Sequence, residues 1–317
     1  MNISVLGCGR WGSFLAWYAD HIGHDVTLWG RPTSHHMARL LDERRNDYLT
    51  LPPSIRLTED LKSAVDSADV IIISINAQHL RSFLIGLNEI GVKGKKFVLC
   101  MKGLESGTGK RLSVVFNEEL AGNRVAVWVG PGHVQDFIRG IPNCMIISSE
   151  EPELTNELVE MFKSPLIRFY YGRDLLGTEI GAAAKNVIGL AAGILDGLNY
   201  SSLKGALMAR GTNELSRLVD ALGGNGMTIY GLSHLGDYEA TLFSAHSHNR
   251  RFGEDFVLQK PFNKLAEGVD TVKALLNLSE RVGVELPICR AVNNVIHHRK
   301  DPRGEIINLL LRSTKEE

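Results

Sequence analysis

The sequence predicts an α/β protein in two parts. A doubly wound, mostly parallel sheet is expected over residues 1–173 and an all-α region over residues 174–317. Three observations carry this. Short apolar runs alternate with helix-length segments through the first part; a glycine-rich turn follows the first run; and strand-like runs cease near residue 174. Alternation of this kind is the signature of parallel strands joined by crossover helices.

In order, residues 2–6 form the first apolar run, followed by glycines and a helical stretch through His21. Residues 25–29 read as a second strand and residues 33–47 as a polar helix. Residues 67–75 contain Val70-Ile71-Ile72-Ile73, a β-branched run suited to a strand covered on both faces. Further strands are expected at 96–100, 124–129, 144–148 and 167–171, with helices at 109–121 and 152–163. Residues 175–198 are rich in Ala, Gly and Leu and read as one long, closely packed helix. Helices at 203–222, 263–282, 287–298 and 304–312 follow, the last including the apolar segment Ile306–Leu311. No internal repeat or low-complexity linker separates the two parts.

The 317 residues carry 35 Lys and Arg against 36 Asp and Glu, a formal charge of −1, so no general basic footprint for nucleic acid is present. Cys8, Cys100, Cys144 and Cys289 are widely spaced and form neither a disulfide framework nor a zinc pattern, which suits a reducing compartment. The start of the chain shows no signal-peptide pattern, and no uninterrupted apolar run of membrane-spanning length is evident; a cytoplasmic location is the expectation. The eleven histidines show no metal-binding spacing with a carboxylate, and no metal site is expected. Neither a G-x-S-x-G elbow nor a P-loop occurs.

Gly7-Cys8-Gly9-Arg10-Trp11-Gly12 stands between the first strand and the first helix. In a Rossmann-type βαβ unit the first glycine permits the tight turn, the second lets a pyrophosphate approach the backbone, and the third lets helix and strand pack closely. The helix N-terminus then offers N–H groups to the anion. The second strand ends in Trp29-Gly30-Arg31 with no acidic residue at its tip. An acid there would hold the ribose diol of NAD, whereas Arg31 can pair with the 2′-phosphate of NADP; dual use of NAD and NADP is the competing reading.

Hydride chemistry needs an acid/base for the reacting oxygen. Lys185 is the only cation within the apolar 175–195 stretch, and burial would bring its pKa toward the useful range. A structural ion pair with Glu179 or Asp237, or snorkelling to solvent, is the alternative. Lys102 follows the 96–100 strand, where ligands gather in parallel sheets; it is an anion contact or an ordinary loop lysine. Ser244–Gly253 gathers Ser247, His248, Asn249, Arg250 and Arg251, a donor cluster fit for phosphate or else a solvated basic loop.

Together these residues resemble the NAD(P)-dependent glycerol-3-phosphate dehydrogenase family in its bacterial form. The likeness rests on the glycine loop with Trp11-Gly12, Leu28-Trp29-x-Arg31, Met101-Lys102-Gly103-Leu104-Glu105 with Thr108-Gly109, and Gly130-Pro131. It continues through Glu179-Ile180, Lys185-Asn186-Val187, Gly236-Asp237, Ser247-x-Asn249-Arg250-Arg251-Phe252-Gly253 and Glu267-Gly268-Val269. The resemblance implies interconversion of sn-glycerol 3-phosphate and dihydroxyacetone phosphate in support of glycerophospholipid synthesis, and a homodimer. It implies Lys185 as general acid/base, with Lys102, Gly130, Gly132, Asp237, Ser247, His248 and Asn249 around the substrate. Gly7, Gly9, Arg10, Trp11, Gly12, Arg31, Lys102, Val134, His248 and Glu267 are the implied cofactor contacts. The chain departs from the family pattern at His248, where an arginine is usual, at Gly132–Asp136, and at Ile75-Asn76-Ala77. The competing readings are a related hydroxy-acid or ketopantoate-type reductase and a dinucleotide-binding protein without turnover.

Overall fold

A computed structural model describes residues 1–313, and the chain divides into two compact units. The first comprises Met1–Met101 and Leu112–Leu175; the second comprises Lys102–Arg111 and the chain from Leu176 onward. The simple division at 173/174 therefore omits a ten-residue excursion, and the end of the expected second region, residues 314–317, lies outside the described residues.

The first unit is an eight-stranded sheet: β1 Asn2–Leu6, β2 Asp25–Trp29, β3 Arg56–Thr58, β4 Val70–Ile73, β5 Lys96–Leu99, β6 Arg124–Val129, β7 Asn143–Ser148 and β8 Ile167–Gly172. The strand order is β3-β2-β1-β4-β5-β6-β7-β8, parallel throughout except between β6 and β7. The order reverses between β1 and β4, which pair Leu6 with Ile73, and such a switch point is where doubly wound sheets bind ligands. All four residues of β4 are buried, as a strand covered on both faces requires. The seven expected strands are present, their ends shifted by up to three residues. The unexpected eighth, β3, is a three-residue edge strand too short to show a period.

Among the helices of this unit, Leu80–Glu89 was not expected, and the 33–47 and 109–121 segments shorten to His35–Glu43 and Leu112–Glu119. The core joins Phe14, Tyr18, Trp128, Phe137 and Phe162 to the aliphatic faces of the strands.

The second unit is helical, as expected, and centres on Leu175–Gly197. This helix is long and apolar enough to cross a membrane by length and composition alone, although Glu179, Lys185 and Asp196 interrupt its apolar run. Yet 89% of its most apolar window is buried inside the protein, so its apolarity is that of a core helix. Around it lie Lys204–Ala221, His248–Val257, Gly268–Arg281, Pro287–His298 and Pro302–Leu310. The helix expected from 263 begins only at Gly268. His248–Val257, expected as part of a basic loop, is a helix with Ser247 at its N-cap.

Small residues determine how closely the central helix is approached. A Cβ on Gly193 would lie 1.9 Å from the carbonyl oxygen of Arg250, and one on Gly253 would lie 2.2 Å from that of Leu190. Two helix backbones thus meet where any side chain would hold them apart, which draws the 247–249 segment onto the central helix.

Candidate active site

Lys185, Asp237 and Lys102 form a cluster that belongs wholly to the helical unit. Lys185 is 8% exposed and Asp237 1%. The Nζ atoms of Lys185 and Lys102 each lie 2.7 Å from the same oxygen, Asp237 Oδ2. Glu179 is not the partner of Lys185: it accepts instead from Arg111 at 2.8 Å. The ion-pair reading of Lys185 is thus correct as to contact, and the pair does not exclude a chemical role.

Burial lowers the pKa of Lys185 to about 8; Asp237 opposes that shift and Lys102 adds to it. An amine poised there is mostly protonated at neutral pH yet able to give up its proton, the condition for general acid/base work. Lys185 also donates to Thr241 Oγ1 at 2.9 Å, and Thr241 donates to the carbonyl oxygen of Asp237 at 2.7 Å. Thr241 lies in a π-helical turn, Glu239–Phe243, a local widening often found at functional sites.

Lys102 arrives through the excursion 102–111. An isolated bridge between Leu104 and Arg111 closes that segment, Leu104 is fully buried, and Arg111 ties it to Glu179. Asn186, beside Lys185 on the central helix, donates to the carbonyl oxygen of Lys102 at 2.8 Å. One turn of helix therefore carries the central lysine and fixes the backbone of the second. Neither Asn186 nor Thr241 was among the expected site residues. Asn186 could have been found from its place beside Lys185, but the approach of Thr241 depends on a π turn that no sequence period reveals.

Asn249 Oδ1 accepts from the backbone N–H of Gly268 at 2.9 Å, which brings it beside Glu267. Burial raises the pKa of Glu267 to about 7, while the charges of Lys185 and Lys102 pull it down; the carboxyl is within electrostatic range of the cluster. Ser247 Oγ accepts from Arg250 N–H at 3.3 Å, so the serine caps a helix. His248 follows it, half-buried, with its ring edge-on to Phe262. Arg250 corrects the reading of 247–251 as a uniform donor cluster. Its guanidinium pairs with Asp196 at 2.7 Å and Glu254 at 3.0 Å, so it braces the segment.

In the first unit the glycine loop has the shape a dinucleotide needs. Gly7 has φ +120°, and a Cβ there would lie 2.2 Å from the Ser74 carbonyl oxygen; one on Gly12 would lie 1.8 Å from that of Gly7. Around Gly9 nothing lies within 4 Å of such a Cβ. Two glycines are thus demanded by the fold, whereas at the third the fold itself would tolerate a side chain. Gly9 is the N-cap of Arg10–His21, whose first turn has no acidic residue to compete for an anion. Trp11 packs on Phe14 and Phe137. Arg10 donates to Gln135 at 2.7 Å and stacks over Tyr48, while Arg31 is exposed just beyond β2.

Gly130 and Gly132, after β6, have φ +134° and +145°, and a Cβ on Gly132 would strike the Phe137 ring at 2.3 Å. Val134 opens the short helix that follows and is buried, 1% exposed. No group of three or more His, Cys, Asp or Glu side chains that could hold a metal ion occurs among the described residues.

A doubly wound sheet with this glycine loop, joined to a helical unit carrying a buried lysine–carboxylate–lysine cluster, defines a nicotinamide-dinucleotide oxidoreductase. The family descriptions "NAD-dependent glycerol-3-phosphate dehydrogenase N-terminus" and "C-terminus" match residues 2–155 and 174–307, and the chain belongs to this family. The glycerol-3-phosphate dehydrogenase [NAD(P)+] of Pelodictyon phaeoclathratiforme is 38% identical, covering 100% of this chain and 99% of its own. That of Fusobacterium nucleatum is 37% identical, covering 100% and 98%. The crystal structure of glycerol-3-phosphate dehydrogenase from Coxiella burnetii superposes with a TM-score of 0.90 at 27% identity, covering 98% of this chain and 99% of its own.

Proposed function

We propose that this enzyme interconverts sn-glycerol 3-phosphate and dihydroxyacetone phosphate, with Lys185 as the group that moves the proton. The observation that carries the reading is a buried lysine held by a carboxylate that also binds a second lysine, with its pKa lowered to about 8. A reduced nicotinamide dinucleotide held at the Gly7–Gly12 loop would supply the hydride for reduction of the substrate carbonyl. The Lys185 ammonium gives its proton to the oxygen on which negative charge develops, and the product is the secondary alcohol. In the oxidising direction neutral Lys185 accepts the hydroxyl proton. Asp237 orients the ammonium, and Thr241 fixes its second hydrogen bond.

Lys102 serves the substrate's anionic group, with Asn249, Ser247 and His248 contributing donors and the backbone at Gly130 and Gly132 approaching the ligand. Glu267 lies along the cofactor. Gly7, Gly9, Gly12 and the N-terminus of Arg10–His21 receive the pyrophosphate, Arg10, Trp11, Val134, Lys102 and His248 border the cofactor, and Arg31 favours NADPH by pairing with its 2′-phosphate. The sheet unit is the dinucleotide half and the helical unit the catalytic half. Reduction is the working direction, in the cytoplasm, where it supplies glycerophospholipid synthesis. Two copies associate: Ile307, Leu310 and Leu311 are large exposed apolar groups at the end of the chain.

The test is oxidation of NADPH or NADH on addition of dihydroxyacetone phosphate. Turnover that disappears in Lys185→Met, with cofactor binding retained, is expected. Binding of either cofactor without turnover by the wild type would refute the reading. Light scattering that gives the mass of a single chain would refute the dimer.

A further inference from the structure

Beside the lysine–carboxylate cluster runs a buried chain of hydrogen bonds through His234 and Tyr238. His234 is 0% exposed, and its Nδ1 lies 2.9 Å from the carbonyl oxygen of Gly181. A carbonyl only accepts, so Nδ1 carries the hydrogen and Nε2 is left as an acceptor. Tyr238 Oη is 2.6 Å from Nε2 and donates to it, and Thr212 donates in turn to Tyr238 Oη at 3.5 Å. Every polar atom along this path is satisfied with the imidazole neutral. Burial also lowers the pKa of His234 to about 4 and raises that of Tyr238, so both stay neutral in the working range.

The positions of these bonds along the chain carry the inference. In an α-helix the carbonyl of residue 181 is the acceptor for the N–H of residue 185. His234 therefore binds the very turn from which Lys185 projects. At its other end, the carbonyl of His234 accepts from the backbone N–H of Asp237 at 3.0 Å. A Cβ on Gly181 would lie 2.9 Å from Ser233 Oγ and 3.1 Å from His234 Cβ, so the segment is seated directly on the helix there. One residue thus joins the two turns, its side chain bonding the peptide turn of the lysine and its main-chain carbonyl the peptide turn of the carboxylate.

We propose that His234, held by Tyr238, is a positioning residue that sets the separation of Lys185 and Asp237. The proposal rests on the reading of Lys185 as acid/base. The charged and titratable groups around Lys185 are Asp237, Lys102, Glu267 and His234 itself. Of these, Asp237 supports the ammonium most directly, so its retreat lowers the pKa of Lys185.

His234→Phe keeps a ring of similar bulk and removes both hydrogen bonds. Expected are a fall in kcat of about ten-fold or more with KM for dihydroxyacetone phosphate within about three-fold, and a shift of the kcat–pH profile to lower pH. Tyr238→Phe leaves the His234–Gly181 bond and removes only its support; a smaller shift in the same sense is expected, which keeps the test available if His234→Phe does not fold. A second readout needs no turnover: the pH dependence of carbamylation of Lys185 by cyanate, followed by peptide mass spectrometry. Its midpoint should fall by about half a unit or more in His234→Phe, a ~0.7 kcal/mol change in the protonation equilibrium, and detectably in Tyr238→Phe. Variants with a lowered melting temperature but unchanged kcat profile and carbamylation midpoint would overturn the proposal. Absence of turnover in the wild type would instead refute the functional reading, and the carbamylation midpoints would still decide the inference.

Discussion

Asp237→Asn changes one atom and removes one charge from the centre of the cluster. Two ammonium groups lie 2.7 Å from the same carboxylate oxygen. At an effective dielectric constant of about 20, each such pair is worth roughly 6 kcal/mol of Coulomb attraction. If only a third of that is lost after relaxation, about 2 kcal/mol, the pKa of Lys185 falls by about 1.5 units. From about 8 in the wild type, that places it at roughly 6.5. The sign follows from the chemistry: reduction needs the protonated lysine, so its rate declines as pH rises through that pKa. At pH 7.5 the protonated fraction drops from about three-quarters to about one-tenth, an eight-fold loss from protonation alone. Part of the loss should return near pH 6. The assay is kcat for dihydroxyacetone phosphate reduction from pH 5.5 to 9.5 at saturating NADPH. A descending limb within about 0.3 units of the wild type would show that Asp237 does not hold the lysine's charge and would refute the reasoning.

Wild-type reduction and oxidation should respond to pH in opposite directions around pH 8, reduction falling and oxidation rising, because the pKa of Lys185 lies there; parallel responses would assign the limb to another group. Gly12→Ala, whose Cβ would be 1.8 Å from the Gly7 carbonyl oxygen, should unfold or grossly destabilise the sheet unit. Gly9→Ala, with open space around its Cβ, should keep the melting temperature within about 2 °C while weakening NADPH binding at least about ten-fold in a fluorescence titration. Arg31→Ala should raise KM for NADPH about ten-fold, ~1.4 kcal/mol, and leave KM for NADH nearly unchanged; equal effects would remove its role in cofactor choice. Glu214 accepts the N–H groups of Ile288 and Cys289 at the start of Pro287–His298. Glu214→Ala should cost about 1–3 kcal/mol in a denaturant titration, with KM unchanged.

Much of the sheet was legible because its signals are local. Val70–Ile73 announces a doubly covered strand by composition, and Gly7–Gly12 announces its turn by spacing. The edge strand Arg56–Thr58 has no such signature: three residues cannot display a period. In the helical half the lysine was visible as a lone cation in an apolar stretch. Its choice of Asp237 over Glu179 was not, because both carboxylates were available in sequence and only the fold selects between them. Arg250 misled for a related reason. In sequence it is one donor among several, whereas Asp196 and Glu254 claim it. His234 gave no signal at all, since a lone histidine reveals its function only through what surrounds it.

The excursion of residues 102–111 bears on how this chain can be made and divided. During synthesis Lys102 and Leu104 emerge long before the central helix that receives them, so the segment must wait, unassembled, for more than seventy residues to follow. A fragment beginning at residue 174 would lack a fully buried leucine of its core and one of the two ammonium groups on Asp237. The helical unit is thus not a module that can be lifted out at a single cut. Splitting the chain in two would preserve it only if the sheet-bearing piece lent back those ten residues.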